Sequence, residues 1–360
     1  MKKLAIYIPS IESGGVEKNL FYISSYLVKK NIDVSIITAN TNKKKLFDSK
    51  MNFICPKSNR WNNSSRFIKT LVCLGLIVTK LPIKKTSIFS FQSNISAIVI
   101  SKILNLKIVI RLNTSPDKYI NNFIKNFFFK IFYSMSDKII VNSLEFKKNL
   151  SNTLKLKSTH VFNPIQNIND NEKLKIDYFS SFRGLKIMSI GRLTDQKDQI
   201  TILKSLNILR SEKINFRFFL IGNGYKLNEL REYIKKHNLK NYVKFAGYKT
   251  KAFNYIGSSD LFILSSKFEG LPNVLIEAQL LNVPIISTDC STGPKEILLN
   301  GRLGSLFEVG DYISLSKIIV SFVKDKKKFL KKTKRVKKYL YRFDYKKNLH
   351  KYYNIIIKIL

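Results

Sequence analysis

Short apolar runs alternate with longer amphipathic ones along most of the chain. In the first half "LAIYIP", "DVSIIT", "SIFSF", "LKIVIRL" and "DKIIVNS" are apolar almost throughout and β-branched, the signature of strands buried on both faces. The segments between them carry apolar residues at helical spacing, so the pattern predicts repeated strand–helix units around a parallel sheet. The rhythm breaks at "HVFNPIQNINDNEKLKIDYFSSFRG", from His160 to Gly184, where Pro164, several asparagines and weak periodicity predict a linker.

Beyond it the alternation restarts. "LKIMSIGRL", "FRFFLIGNG", "VKFAGY", "LFILSS" and "VPIISTD" predict strands, with helices such as "QITILKSLNILRSE" and "KLNELREYIKKHN" between them. The two halves are alike in kind and not in sequence. Two doubly wound α/β domains facing each other across a cleft are expected, with ligands at the carboxyl ends of the strands. The predicted boundaries are 1–164, 165–335 and 336–360, the last being a basic, Tyr/Ile/Leu-faced helix that returns to pack on the first domain.

Composition narrows the functional classes. With 360 residues, 44% of them hydrophobic, the chain is long enough for two domains with sizeable cores. Sixty-four Lys and Arg face 24 Asp and Glu, a formal charge of +40, which points to a polyanionic neighbour: nucleic acid, an anionic membrane face or phosphorylated substrates. Cys55, Cys73 and Cys290 lie far apart with no histidine cluster, so no zinc site or disulfide framework is expected, and a reducing cytosol fits. The opening "MKKLAIYIPS" stops at Pro9 with Glu12 following, which favours a buried first strand over a secretory leader. The apolar run Leu71–Thr79 is too short to cross a bilayer.

Candidate chemistry concentrates in the second half. In "SSKFEGLPNVLIEAQLLNVPIIST" a predicted helix starts at Pro272, a residue suited to the first helical position, and its early amides near Asn273 and Val274 make an anion site. Glu269 precedes this helix and Glu277 lies more than one turn inside it, so two carboxylates would bracket a ligand from different levels. In "SIGRLTDQKD", Arg192 and Lys197 follow a strand closely enough to straddle a diphosphate and stabilise the charge that grows when it leaves. "IGNGYKLNEL" adds Gly222 and Gly224, where a base or ribose could approach the backbone. Each feature alone has an ordinary structural reading as a turn, a solvated cation or a helix-surface acid. The ordered set does not.

That set, GRL-x3-K, GNG, a GY after a strand, EGLP-x4-E and "STGPKEIL", resembles the family 4 retaining glycosyltransferases of the GT-B fold, most specifically from Leu185 to Leu299. The resemblance implies that Arg192 and Lys197 hold the donor diphosphate and that Glu277 binds ribose hydroxyls. It implies that Glu269 binds a donor-sugar hydroxyl near the reacting face, and that the backbone after Gly270, through Leu271, caps the phosphate. Gly14 and Gly15 match the family's glycine pair in the first N-terminal loop. Many members carry a histidine at the end of the strand that here reads "IVIRLNTSP"; this chain offers Arg111 and Asn113 instead, and His160 is not expected to substitute.

By resemblance the donor is a nucleotide sugar, UDP-hexose or UDP-N-acetylhexosamine, with no metal or other cofactor. "STGPKEIL" resembles bacterial enzymes that extend surface or lipid-linked oligosaccharides, so the acceptor is expected to be lipid-linked, or a lipopolysaccharide or capsule precursor. The basic aromatic segment Asp117–Tyr133 and the lysines from Lys324 to Lys338 suggest a peripheral position on the anionic inner face of the cell membrane. A nucleic-acid-binding protein is the rival favoured by charge, but no reading module is present in the sequence. A glycoside hydrolase would use paired carboxylates without a diphosphate cradle. A dehydrogenase is disfavoured because "ESGGVEK" is not GxGxxG.

Overall fold

The computed structural model describes residues 3–12, 14–114, 123–166 and 179–360. The chain divides into two compact units, one formed by Met1–Pro164 with Tyr345–Leu360 and the other by Ile165–Asp344. Residues 336–344, expected with the last helix, therefore group with the second unit. Val336 and Phe343 are buried, and the Ile165 amide donates to the Phe343 carbonyl at 3.2 Å, tying the start of the second unit to its end.

The first unit is built on a seven-stranded sheet of β1 (Lys3–Tyr7), β2 (Asp33–Ile37), β3 (Asn52–Ile54), β4 (Thr86–Ser90), β5 (Ile108–Leu112), β6 (Lys138–Val141) and β7 (Thr159–His160). Its order is β3-β2-β1-β4-β5-β6-β7 and every pairing is parallel. Period-two alternation sends neighbouring residues of β1 to opposite faces. Ala5 and Tyr7 pack with Cys73, Ile77 and Ala97 on one side; Leu4 and Ile6 pack with Leu20, Leu349 and Tyr352 on the other. The second face is covered by helix Gly15–Lys29 and by helix Tyr345–Ile357, whose Leu349, Tyr352 and Ile356 are fully buried. The Tyr22 and Tyr345 rings meet edge to face there, 5.1 Å apart.

The second unit carries a six-stranded parallel sheet of β8 (Leu185–Ile190), β9 (Phe216–Ile221), β10 (Val243–Gly247), β11 (Leu261–Leu264), β12 (Ile285–Thr288) and β13 (Ser305–Phe307). The order is β10-β9-β8-β11-β12-β13, so β8 pairs with β9 on one side and β11 on the other. Strand order reverses between β8 and β11. In open α/β sheets that reversal leaves a crevice beyond the carboxyl ends of the two strands, and this is where ligands bind.

Candidate active site

The loops leaving β8 and β11 meet at this reversal and carry Arg192, Lys197 and Glu269. The β8 loop runs from Gly191 to Asp198 and feeds helix Gln199–Ser211; the β11 loop runs from Ser265 to Pro272 and feeds helix Asn273–Leu280. They are stitched together by backbone and side chains. The Lys267 amide donates to the Gln196 carbonyl at 2.8 Å, the Gln196 amide group to the Phe268 carbonyl at 3.0 Å, and the Ser265 hydroxyl to the Lys197 carbonyl at 2.8 Å.

Within this frame the Lys197 ammonium donates to Glu269 Oε1. The two side chains are only 16% and 8% exposed, so the pair is a semi-buried ion pair with little solvent screening. The Ser266 hydroxyl donates to the same carboxylate oxygen at 2.6 Å, and the buried Thr292 hydroxyl donates to the Glu269 carbonyl at 2.6 Å. Glu269 is thereby fixed in both side chain and backbone. Ser266 and Thr292 belong to "LFILSS" and "STGPKEIL", where a small hydroxyl residue in the loop after a strand carries no local signal of this contact.

Cys290 is buried nearby. Burial, with the negative charge of Glu269 adding to it, pushes its thiol up to about 12, so it stays a neutral thiol without nucleophilic character.

Arg192 is exposed on the same loop, its carbonyl accepting from the Gln199 side chain at 2.8 Å. Glu277 is half-buried in the second turn of its helix. The helix begins at Asn273, with Pro272 in extended backbone (φ −71°, ψ 107°) as its cap and not, as expected, as its first helical residue. Its carbonyl takes the Leu275 amide at 3.1 Å. Leu271 and Asn273 are buried, whereas Val274 is half-buried. Gly270 is pressed against Gly293: a Cβ at Gly293, whose φ is +84°, would stand 2.2 Å from the Gly270 carbonyl oxygen. This contact sets where the loop before the helix can run.

Gly222 and Gly224 bring two loops of the second unit into close contact. A Cβ at Gly222 (φ +146°) would lie 1.9 Å from the Gly191 carbonyl oxygen, and one at Gly224 would lie 2.2 Å from that of Leu193. Hydrogen bonds of 3.0 Å from the Gly191 amide to Ile221 and 2.9 Å from the Leu193 amide to Asn223 fill that space with protein backbone. The pair thus lets the β9 loop lie directly against the diphosphate-candidate loop. Lys226 reinforces the seam, reaching Asp195 at 2.9 Å and Glu229 at 2.6 Å.

Gly14, Gly15 and Asn113 lie in the first unit, beyond the carboxyl ends of β1 and β5. Gly14 caps helix Gly15–Lys29 in extended backbone, and the Glu17 carboxylate folds back to accept the Glu12 amide at 3.2 Å. Asn113 donates to the Phe91 carbonyl at 2.7 Å. Arg111 is 1% exposed and committed to the fold: its guanidinium donates to the Tyr352 hydroxyl at 2.9 Å and to Asn163 at 2.6 Å. It fastens the last helix to β5 and has no solvent-facing head to offer a ligand. His160, on β7, is held neutral by burial and the nearby Lys351 and Lys147, its pKa lowered to about 4. Among the described residues no cluster of three or more His, Cys, Asp or Glu is arranged to hold a metal ion.

Residues 172–350 match the family model described as "Glycosyl transferases group 1". A Methanocaldococcus jannaschii protein named as an uncharacterized glycosyltransferase is 38% identical over 179 residues, 47% of this chain and 44% of that one. A Campylobacter jejuni protein named N-acetylgalactosamine-N,N'-diacetylbacillosaminyl-diphospho-undecaprenol 4-alpha-N-acetylgalactosaminyltransferase is 26% identical over 342 residues, 91% of this chain and 92% of its own. Among solved structures, that of Anabaena HepE in complex with UDP and glucose superposes with a TM-score of 0.81 at 16% identity, over 99% of this chain and all of that one.

Proposed function

We propose that this glycosyltransferase of the GT-B fold is a family 4 retaining enzyme. It moves a hexose or N-acetylhexosamine from a UDP-sugar to a lipid-linked oligosaccharide or a lipopolysaccharide or capsule precursor. The observation that carries the reading is the Lys197–Glu269 pair at the strand-order reversal of the second sheet, with Arg192 on the same loop. A dinucleotide or mononucleotide diphosphate is the ligand such a crevice suits, and a cation paired to a carboxylate can turn to a phosphate without unfolding its loop.

In this reading the C1–O bond to the diphosphate breaks while the acceptor oxygen bonds to C1 on the same face. The acceptor proton passes to the departing phosphate oxygen, so no dedicated protein base is needed. Arg192 and Lys197 stabilise the growing charge on the diphosphate without a metal. Glu269 takes a donor-sugar hydroxyl and Glu277 the ribose hydroxyls; Ser266 and Thr292 keep Glu269 in place. The UDP bound to HepE and the diphospho-undecaprenol acceptor in the name of the Campylobacter relative support the choice of donor and acceptor class. The 4-alpha linkage in that name is the outcome retention gives from an α-linked donor.

A screen of UDP-sugars by released nucleotide, against extracts containing lipid-linked acceptors, tests the reading. One UDP-sugar should support release, and the new bond should keep the donor's anomeric configuration. Arg192→Ala should lower turnover by about two to three powers of ten without changing the thermal midpoint, because Arg192 is exposed. An inverted product, or full activity in Arg192→Ala, overturns it.

A further inference from the structure

Helices Arg66–Lys80, Asn94–Ile103 and Phe123–Ser134 connect β3 to β4, β4 to β5 and β5 to β6, and they lie side by side on one face of the first sheet. Right-handed crossovers between parallel strands place all three on that side. Their inner faces build the core. Their outer faces should be polar, as on an ordinary surface helix, and they are not. Phe67 is 72% exposed, Leu71 52%, Ile103 72%, Phe127 55%, Phe128 53% and Ile131 40%. Single exposed apolar residues need no explanation, but bulky ones on three adjacent helices do.

The charges on these helices share one sign. Their sequences contain Arg66, Lys69, Lys80, Lys102, Lys125 and Lys130 and no aspartate or glutamate. Lys69 is buried, Arg66 pairs with Glu12 at 2.7 Å and Lys102 with Asp137 at 3.5 Å, and Lys80, Lys125 and Lys130 are exposed on the same helices as the apolar residues. A symmetric contact between two copies through this face would set lysine against lysine. Apolar side chains rimmed by cations match the interfacial zone of a bilayer with anionic headgroups, where rings enter the acyl boundary and ammonium groups remain at the phosphates.

We infer that this three-helix face docks the first unit on an anionic lipid surface by shallow insertion of Phe67, Phe127, Phe128 and their neighbours. The inference builds on the lipid-linked acceptor proposed above and locates where the bilayer would meet the protein. It also moves the contact away from the lysine-rich stretch from Lys324 to Lys338. There Lys326 is engaged with Asp260 at 2.6 Å and Lys332 donates to the Gly304 carbonyl at 2.9 Å. Insertion makes binding only partly sensitive to salt, because apolar burial does not follow the Debye length as lysine–headgroup attraction does.

The test is co-sedimentation of the full chain with phosphatidylglycerol/phosphatidylethanolamine vesicles and with phosphatidylcholine vesicles, at low and high salt. The wild type should bind the anionic vesicles, bind the neutral ones less, and retain a fraction at high salt. The triple variant Phe67→Ser, Phe127→Ser, Phe128→Ser should lose binding by at least about tenfold, with an unchanged thermal midpoint since the three rings are exposed. Lys324→Gln, Lys327→Gln, Lys331→Gln should bind as the wild type does. Equal binding by the ring variant and wild type overturns the inference. So does a wild type that ignores vesicles but self-associates through these rings in sedimentation equilibrium. Vesicle partition is read without sugar transfer, and UDP titration without lipid, so loss of one leaves the other standing.

Discussion

The Lys197–Glu269 pair makes opposite demands on stability and on nucleotide affinity, and a double-mutant cycle separates them. Replacing one member of a semi-buried pair leaves the other charged and poorly solvated, which costs about 3–5 kcal/mol. The Ser266 hydroxyl still serves the carboxylate when Lys197→Met removes the cation, which argues for the lower end, about 3 kcal/mol. In a unit of this size that lowers the thermal midpoint by about 6–12 °C. Glu269→Gln strands the ammonium similarly. The double variant removes both charges and should lose about as much as one single variant, giving a coupling of about 3 kcal/mol by calorimetry.

UDP affinity should not follow stability. Lys197→Met removes a diphosphate contact and weakens binding. Glu269→Gln frees Lys197 from its carboxylate and takes one negative charge from the phosphate's surroundings. Over a separation of about 8 Å at an effective dielectric of about 40, that is worth about 1 kcal/mol, or roughly fivefold tighter binding. Sugar transfer should nevertheless fall in Glu269→Gln, because the lost hydroxyl contact matters most in the transition state. Isothermal titration with UDP decides the matter. If both single variants weaken UDP equally, or if the stability losses simply add, the pair is not the poised diphosphate partner described here.

Two further expectations follow from the geometry. Gly224→Ala should destabilise the second unit and abolish UDP binding with it, since its Cβ would enter the Leu193 carbonyl; a variant that unfolds normally yet has lost UDP would refute the packing argument in favour of direct ligand approach at this glycine. His160, lowered from 6.5 to about 4 in the fold, binds its proton more readily in the unfolded chain, so its contribution is complete above about pH 6.5 and is lost as pH falls toward 4. It amounts to at most about 3 kcal/mol, and His160→Phe should flatten the unfolding free energy over that window; an unchanged pH slope refutes it.

What the sequence makes legible is what local pattern and spacing encode. β1, β2, β4, β5 and β6, and β8, β9, β11 and β12, are apolar runs of four to six residues, and burial on both faces of a parallel sheet writes them plainly. β3, β7 and β13 are three, two and three residues long, at or near the sheet edges, too short for any periodicity to register. The loops after β8 and β11 are legible as chemistry because a cation pair and two glutamates at fixed spacing are rare in combination. Their contact is not, since Lys197 and Glu269 are 72 residues apart and meet only because β8 and β11 pair. Arg111 shows the opposite failure. Read locally, an arginine near the carboxyl end of a strand looks like a ligand contact. Its partners, Tyr352 and Asn163, are 241 and 52 residues away, and only the fold of the last helix over the first sheet turns it into a buried clamp. Spacing also marks the glycines of "GNG" without giving the packing of their loop against the β8 loop, because a missing side chain reveals that something comes close without revealing whether it is a ligand or the backbone of the next loop.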